Sequence, residues 1–388
     1  MDNDGLKVLI AVDVQNCFIH GGSLGAPLAE KKDSVDYKSA SDYKGGEASI
    51  QQAKDIFQLM KGKDVVVITR DSHPNNHKSF GVQGGIYPEH CRKSKVSIKP
   101  KFDAIEGGAT FNGQLIAGPD PAVAFDMVAE SPEDKTLLAK IKTCDMNIGL
   151  TNKRSNLADP KKAEYECIGR PSGSRPVFID VRKGEFPTMD AYSAFMYHVT
   201  YPDGMNFGKN DGDVNPKLST RLLEVLLSKE VNPENKPLNI SVCGLVGNIC
   251  VMYTVSYGNA YAKLVQTDRS QFDANTTALG LTPPPTPPIV KFTFLGRKGT
   301  QWLRTLDGKS GFLGYSGDEW TSNEKAKAVE ETMVNTEIKR LDPSATVTLD
   351  FGPSGGRRRA RSQTKKAKRH SKSRSKKVLK TRRRVRIV

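Results

Sequence analysis

No apolar run in this chain of 388 residues approaches the ~18 residues that a membrane-spanning helix needs, so a bilayer is not an expected partner. The opening segment, MDNDGLKVLIAVDVQN, lacks the positive start of an export signal, and its apolar stretch is confined to residues 8–12 and Val14. It reads as a buried strand, and the expected location is the cytoplasm or nucleus, not the exterior. Cysteine is scarce: Cys17, Cys91, Cys144, Cys167, Cys243 and Cys250. An even count points to a disulfide framework only in a short secreted chain. Free thiols in a reducing compartment are therefore expected, which leaves room for one activated cysteine. Histidine is as sparse, with six in all, and any clustering of it is informative.

Acids are missing from residues 357–388, which hold 17 of the chain's 59 Lys and Arg and leave 42 basic against 43 acidic residues elsewhere. The formal net charge of +16 thus belongs to the end of the chain. From residue 353 the sequence is low in complexity, without a core-forming pattern before VLK and VRIV. It is expected to be a disordered basic tail, separate from a domain of residues 1–352. Such a run attracts nucleic acid phosphates without sequence choice and with steep salt dependence. A nuclear localisation signal or a solubilising extension is the alternative. No aromatics interleave, so base stacking is not expected. Ser362, Ser371, Ser373 and Ser375 offer phosphorylation sites that would weaken the attraction.

Before the tail, apolar runs alternate with helical patterns. Residues 7–14 (KVLIAVDV), 64–69 (DVVVIT) and 239–243 (NISVC) read as strands buried on both faces. Residues 48–60, 218–227, 250–264 and 322–338 carry apolar residues at helical spacing. The expected fold is α/β: a doubly wound, mostly parallel sheet with helices on both faces and right-handed crossovers. Residues 92–176, rich in Lys, Gly and Pro with a short helical patch at 134–141, read as a surface insertion. So do residues 266–288, which end in a polyproline stretch.

In such sheets, functional groups gather at the carboxyl ends of the strands. Asp13 follows the first strand and Asp71 the second, and Lys183 follows the apolar pair Phe178 and Ile179. Asp71, His73, His77 and His90 lie within one short stretch. An Asp-x-His pair at a strand exit, joined by a third imidazole, suits Zn or Fe and leaves positions open for water or substrate. Singly, each would be an ordinary loop residue. Gly244 and Gly247 mark a tight strand-to-helix turn that places Cys250 at a helix start, where the dipole favours a thiolate and backbone N–H groups can hold an oxyanion. Cys243, inside the apolar strand, reads as structural.

Together these segments resemble the nicotinamidase branch of the isochorismatase-like hydrolase family. The resemblance runs in order over residues 6–340: Asp13 to Phe18, Gly21 to Leu24, Thr69 to Phe80, Pro88 to Cys91, Lys183 with Gly184, Tyr192 to Phe195, and Cys243 to Cys250. It implies a metal-dependent amide hydrolase that converts nicotinamide and water to nicotinate and ammonia. Asp13, Lys183 and Cys250 match the catalytic triad, with a thioester on Cys250. Asp71, His73 and His90 match the ligands of one divalent transition metal (Zn, Fe or Mn), and His77 matches a ligand of some members only. Phe18, Tyr87 and Tyr192 match the aromatic positions around the pyridine ring. The N–H groups of Val246 and Cys250 match the oxyanion hole, with a cis peptide before Val246. The chain departs at Cys17, where the family has a second Asp, and at Gly247 and Asn248, and its intervening segments are longer. Rival readings are a binding protein that keeps this fold and uses the tail on nucleic acid, and a hydrolase of another small amide or a vinyl ether.

Overall fold

The computed structural model describes residues 5–15, 17–18, 46–84, 90–91, 110–111, 114–115, 131–150, 164–197, 199–200, 214–296, 300–301 and 323–350. Nine strands form one sheet: β1 (Leu6–Val12), β2 (Val65–Asp71), β3 (Met146–Leu150), β4 (Tyr165–Gly169), β5 (Val177–Lys183), β6 (Leu238–Leu245), β7 (Val290–Leu295), β8 (Thr300–Gln301) and β9 (Thr348–Asp350). Their order is β9-β7-β6-β1-β2-β5-β3-β4, with β8 also on β6. Every pairing in it is parallel except β3 with β4. Parallel neighbours need crossovers, and the helical segments supply them: α1 (Gly46–Leu59), α2 (Pro132–Thr143), α3 (Leu222–Leu227), α4 (Met252–Thr267), α5 (Ser270–Ala278) and α6 (Asn323–Leu341).

The period-two alternation of side chains gives the sheet two buried faces. Leu9, Ala11, Val66, Ile68 and Phe178 point to one face and pack with Ala53, Ile56 and Phe57 of α1 and Ile141 of α2. Val8, Ile10, Val12, Val65, Val67 and Ile179 point to the other, against α3, α4 and α6. Burying one such branched side chain contributes about 1.5–3 kcal/mol, so the central strands β1 and β2 hold the sheet in register. The doubly wound α/β expectation is met.

Three expectations need correction. The span 92–176 is not wholly a surface insertion, because it supplies α2, β3 and β4 to the sheet. Met146 and Ile148 alternate into the core, and a capping box at Ser131 and Asp134 starts α2. The span 266–288 contains α5, whose Phe272 is buried along with Leu279 and Leu281 just after it. The last is Cys17 and Cys91, which form a disulfide and are not free thiols. Helix α3 begins at Leu222, later than expected, because Arg221 takes a left-handed φ of 74° after a 3₁₀ turn at Pro216–Leu218. The chain divides into residues 1–354 and 355–388. The expected basic tail lies outside the described residues.

Candidate active site

Asp13, Asp71 and Lys183 stand at or just past the carboxyl ends of β1, β2 and β5, and Cys250 follows β6. These four strands are neighbours in the order β6-β1-β2-β5, so four residues remote in sequence meet at one edge. All four are buried. Asp13 holds a positive φ of 52°, a region that a non-glycine residue occupies only when its surroundings impose it. Here Thr69 does so twice: its hydroxyl accepts from Asp13 N (3.1 Å) and donates to Asp13 Oδ1 (2.7 Å). That leaves Asp13 Oδ2 for Lys183, whose Nζ lies 2.8 Å away as an ion pair off the hydrogen-bond line.

Lys183 Nζ also donates to Asp71 Oδ1, and to Cys250 Sγ at 3.9 Å. Burial alone would lower the Lys183 ammonium, but Asp13 and Asp71 outweigh it and keep the group charged. Burial pushes the Asp13 carboxyl up to about 6, against the pull of Lys183 and with the help of Asp71. Cys250 differs from the thiolate expected at a helix start. It sits in a π-helical turn, Gly247–Val251, ahead of α4, and burial, reinforced by Asp13 and Asp71 against Lys183, pushes its thiol well above the usual value. Burial therefore opposes the thiolate, and the carboxylate beside it is one of raised basicity. The Leu245–Val246 peptide that leads into this turn is cis.

The histidines lie beside this group. Asp71, His73 and His90 are buried, and one ligand atom from each falls within 4.8 Å of the others. His73 Nδ1 lies 3.0 Å from Gly184 O, which can only accept, so Nδ1 carries a proton, and in the neutral ring Nε2 keeps its lone pair. That Nε2 is buried without a hydrogen bond and lies 3.5 Å from Asp71 Oδ2. An imidazole oriented through its far nitrogen with its near one unsatisfied, beside a carboxylate and a second imidazole, fits a divalent metal. Burial alone would lower His73, and Asp71 overrides it to raise the imidazole. Asp71 is held well below the usual carboxylate range because Lys183, then His73, outweigh its burial.

His73, His77 and Asp190 also cluster, but His77 is engaged elsewhere. Its Nε2 donates to Met189 O at 3.0 Å, and its Nδ1 accepts from Ser79 at 2.6 Å. Burial, then His73, push it down to about 3. Neutral and packed against His73 with ring centroids 4.1 Å apart and planes tilted by 35°, His77 buttresses the first set.

Of the aromatic positions, Phe18 lies 5.6 Å from the His90 ring, and Tyr192 packs in the cluster that holds Ile249 and Cys250. Tyr87 lies outside the described residues. Sequence reasoning assigned no supporting role to four groups. Gln15 clamps the Asp71 backbone from both sides, donating to its O (3.0 Å) and accepting from its N (2.8 Å). Thr69 orients Asp13, and Gly184 (φ 68°) makes room for His73, since a Cβ there would lie 2.5 Å from His73 Cε1. The fourth is the Cys17–Cys91 disulfide. Thr69 lies two residues before Asp71 in β2, a spacing that places both on the same face, whereas Gln15 follows a tight turn after Asp13.

No protein-family model and no curated protein matches the chain. Among solved structures, it is similar to PnC1 from L. infantum in complex with nicotinate, at 17% identity over 89% of this chain and 92% of that one, with a TM-score of 0.38. It is also similar to the yeast nicotinamidase Pnc1p bound to the inhibitor nicotinaldehyde, at 16% identity over 89% and 99%, with a TM-score of 0.39. A third is the Acinetobacter baumanii nicotinamidase pyrazinamidase, at 15% identity over 90% and 97%, with a TM-score of 0.39.

Proposed function

We propose that this chain is a metal-dependent amide hydrolase of the isochorismatase-like family, acting on nicotinamide, with residues 1–352 as the catalytic part and residues 353–388 as a separable basic segment. The observation that carries this reading is the contact of Lys183 with Asp13, Asp71 and Cys250 at once. A nucleophile, its base and a metal-ligand set thereby share one buried cation. Cys250 loses its thiol proton to Asp13 as Sγ attacks the amide carbon. Lys183 stabilises the thiolate as it develops, and the backbone N–H groups of Val246 and Cys250 hold the oxyanion. Asp13 returns the proton to the departing nitrogen, and ammonia leaves behind a thioester. Asp13 then accepts a proton from water as the hydroxide adds to the thioester carbon, and that proton returns to Cys250 as nicotinate is released. Asp71, His73 and His90 would hold Zn, Fe or Mn, which when bound supplies a Lewis acid for the pyridine nitrogen. Phe18 and Tyr192, with Tyr87, would flank the ring.

The test is ammonia release from nicotinamide by metal-loaded protein and by Cys250→Ala. Release by the wild type, with activity in the variant reduced to below a few per cent and its metal retained, supports the reading. Absence of release from nicotinamide and from other small aromatic amides overturns it.

A further inference from the structure

Of the three candidate metal ligands, one lies in a strand and a second is held by two backbone carbonyls. Asp71 lies in β2, opposite Lys183 of β5, with Gln15 on its backbone. His73 is fixed at both ends, its N–H donating to Cys91 O (2.9 Å) and its Nδ1 to Gly184 O (3.0 Å). His90 lies in no strand or helix. The next residue, Cys91, is bonded to Cys17, just beyond β1, across 74 residues of chain. Both cysteines are fully buried, and Cys91 has a positive φ of 46°. Phe18, next to Cys17, brings its ring to 5.6 Å from His90. The covalent tie thus enters the site at the residue next to His90. Through Cys91 O it reaches His73 as well.

We infer that the Cys17–Cys91 disulfide positions His90 for metal binding, so that the affinity of this chain for a divalent metal depends on the bond being closed. The inference rests on the metal-ligand reading proposed above. A ligand on an untied segment must be ordered when the ion binds, and that entropy cost weakens binding. A tied one is ordered beforehand. Groups that orient a metal ligand from behind alter affinity by about 10–100-fold, and a weakening in that range is expected when the bond opens. Opening takes two electrons. With a trialkylphosphine, phosphorus attacks one sulfur and the S–S bond breaks. Water then supplies oxygen to the phosphine oxide and its two protons to the two thiols.

The experiment measures zinc affinity of the full chain by competition with a chromophoric chelator. The samples are wild type, phosphine-treated wild type, Cys17→Ser, Cys91→Ser and the double variant. Alkylation of denatured protein should count four thiols in untreated wild type and six after reduction, matching four free cysteines and one disulfide. All the opened forms should bind zinc about 10–100-fold more weakly than the closed form and equally to one another, since they lose the same bond. Phe272→Ala, which cuts a core contact in α5, should lower the melting temperature without altering zinc affinity. Unchanged zinc affinity in the opened forms, with only a lower melting temperature, would show a stability staple and overturn the inference. Six thiols in untreated wild type would overturn it too. If the variants do not fold, the phosphine-treated wild type decides. Failure of wild type to bind zinc at all would instead sink the metal-ligand reading.

Discussion

The ammonium of Lys183 donates to Asp71, a member of the candidate metal set, while also pairing with Asp13 of the candidate triad. One cation therefore compensates two buried carboxylates, and neither set is electrostatically independent of the other.

Removing that cation should be costly. Lys183→Met leaves Asp13 and Asp71 facing each other in a buried site, and stripping one partner from a buried pair costs about 3–5 kcal/mol. Denaturant unfolding of metal-free protein at neutral pH should show a loss of that order together with loss of turnover. A loss of less than ~1 kcal/mol would mean that the two carboxylates are not both charged in the resting protein.

The raised Asp13 carboxyl sets the acid limb of the pH profile. A base must be unprotonated to take the thiol proton, and Asp13 is pushed up to about 6. For a substrate that does not titrate in this range, kcat/KM should be level above that value. Below it, the fall should approach about tenfold per pH unit. An acid limb near the ordinary carboxylate value would remove Asp13 from this role.

Gly184→Ala should act on the metal end. At φ 68° the new Cβ would lie 2.5 Å from His73 Cε1 and 2.7 Å from Nδ1, so the imidazole must move. Zinc affinity, read by chelator competition, should drop by about tenfold or more. An unchanged affinity would show that His73 is not a ligand.

Deleting residues 353–388 should leave amide hydrolysis unchanged and abolish binding to a labelled duplex. Those residues hold the excess positive charge, and residues outside 357–388 carry 42 basic against 43 acidic. Binding by the full chain should weaken at least ~100-fold between ~50 and ~200 mM salt. Equal binding by the truncated chain would place the nucleic-acid surface elsewhere, and lost hydrolysis would join the segment to the site.

Much of this arrangement was legible in the sequence because parallel strands buried on both faces have a strong signature. KVLIAV and VVVIT could hardly lie elsewhere than at the centre of a sheet, and once they are placed, Asp13 and Asp71 must emerge at its carboxyl edge. The peripheral strands were not legible. Tyr165–Gly169 is a half-buried, antiparallel edge strand of five residues in which only Tyr165 and Cys167 pack against the core, too short a pattern to set it apart from a loop. Helix α5 likewise has little apolar periodicity, and its place depends on Phe272 finding the core. The Cys17–Cys91 bond depends on two segments 74 residues apart being brought together by the sheet. The upward push on the Cys250 thiol comes first from burial, which a position near a helix start does not reveal.

Strand adjacency also bears on how such a chain can change over generations. Lys183 and Asp71 are 112 residues apart along the chain, and Lys183 and Cys250 are 67 apart. Their separations in space follow from neighbouring strands ~4.8 Å apart. Copying errors that lengthen or shorten a crossover leave those separations untouched, and the long segments of this sequence fall between the strands, where such drift is tolerated. A single-residue insertion inside β1 or β2 is a different event, because it turns every following side chain to the opposite face. Variation in length is thus expected in the crossovers and not within the four strands that carry the site.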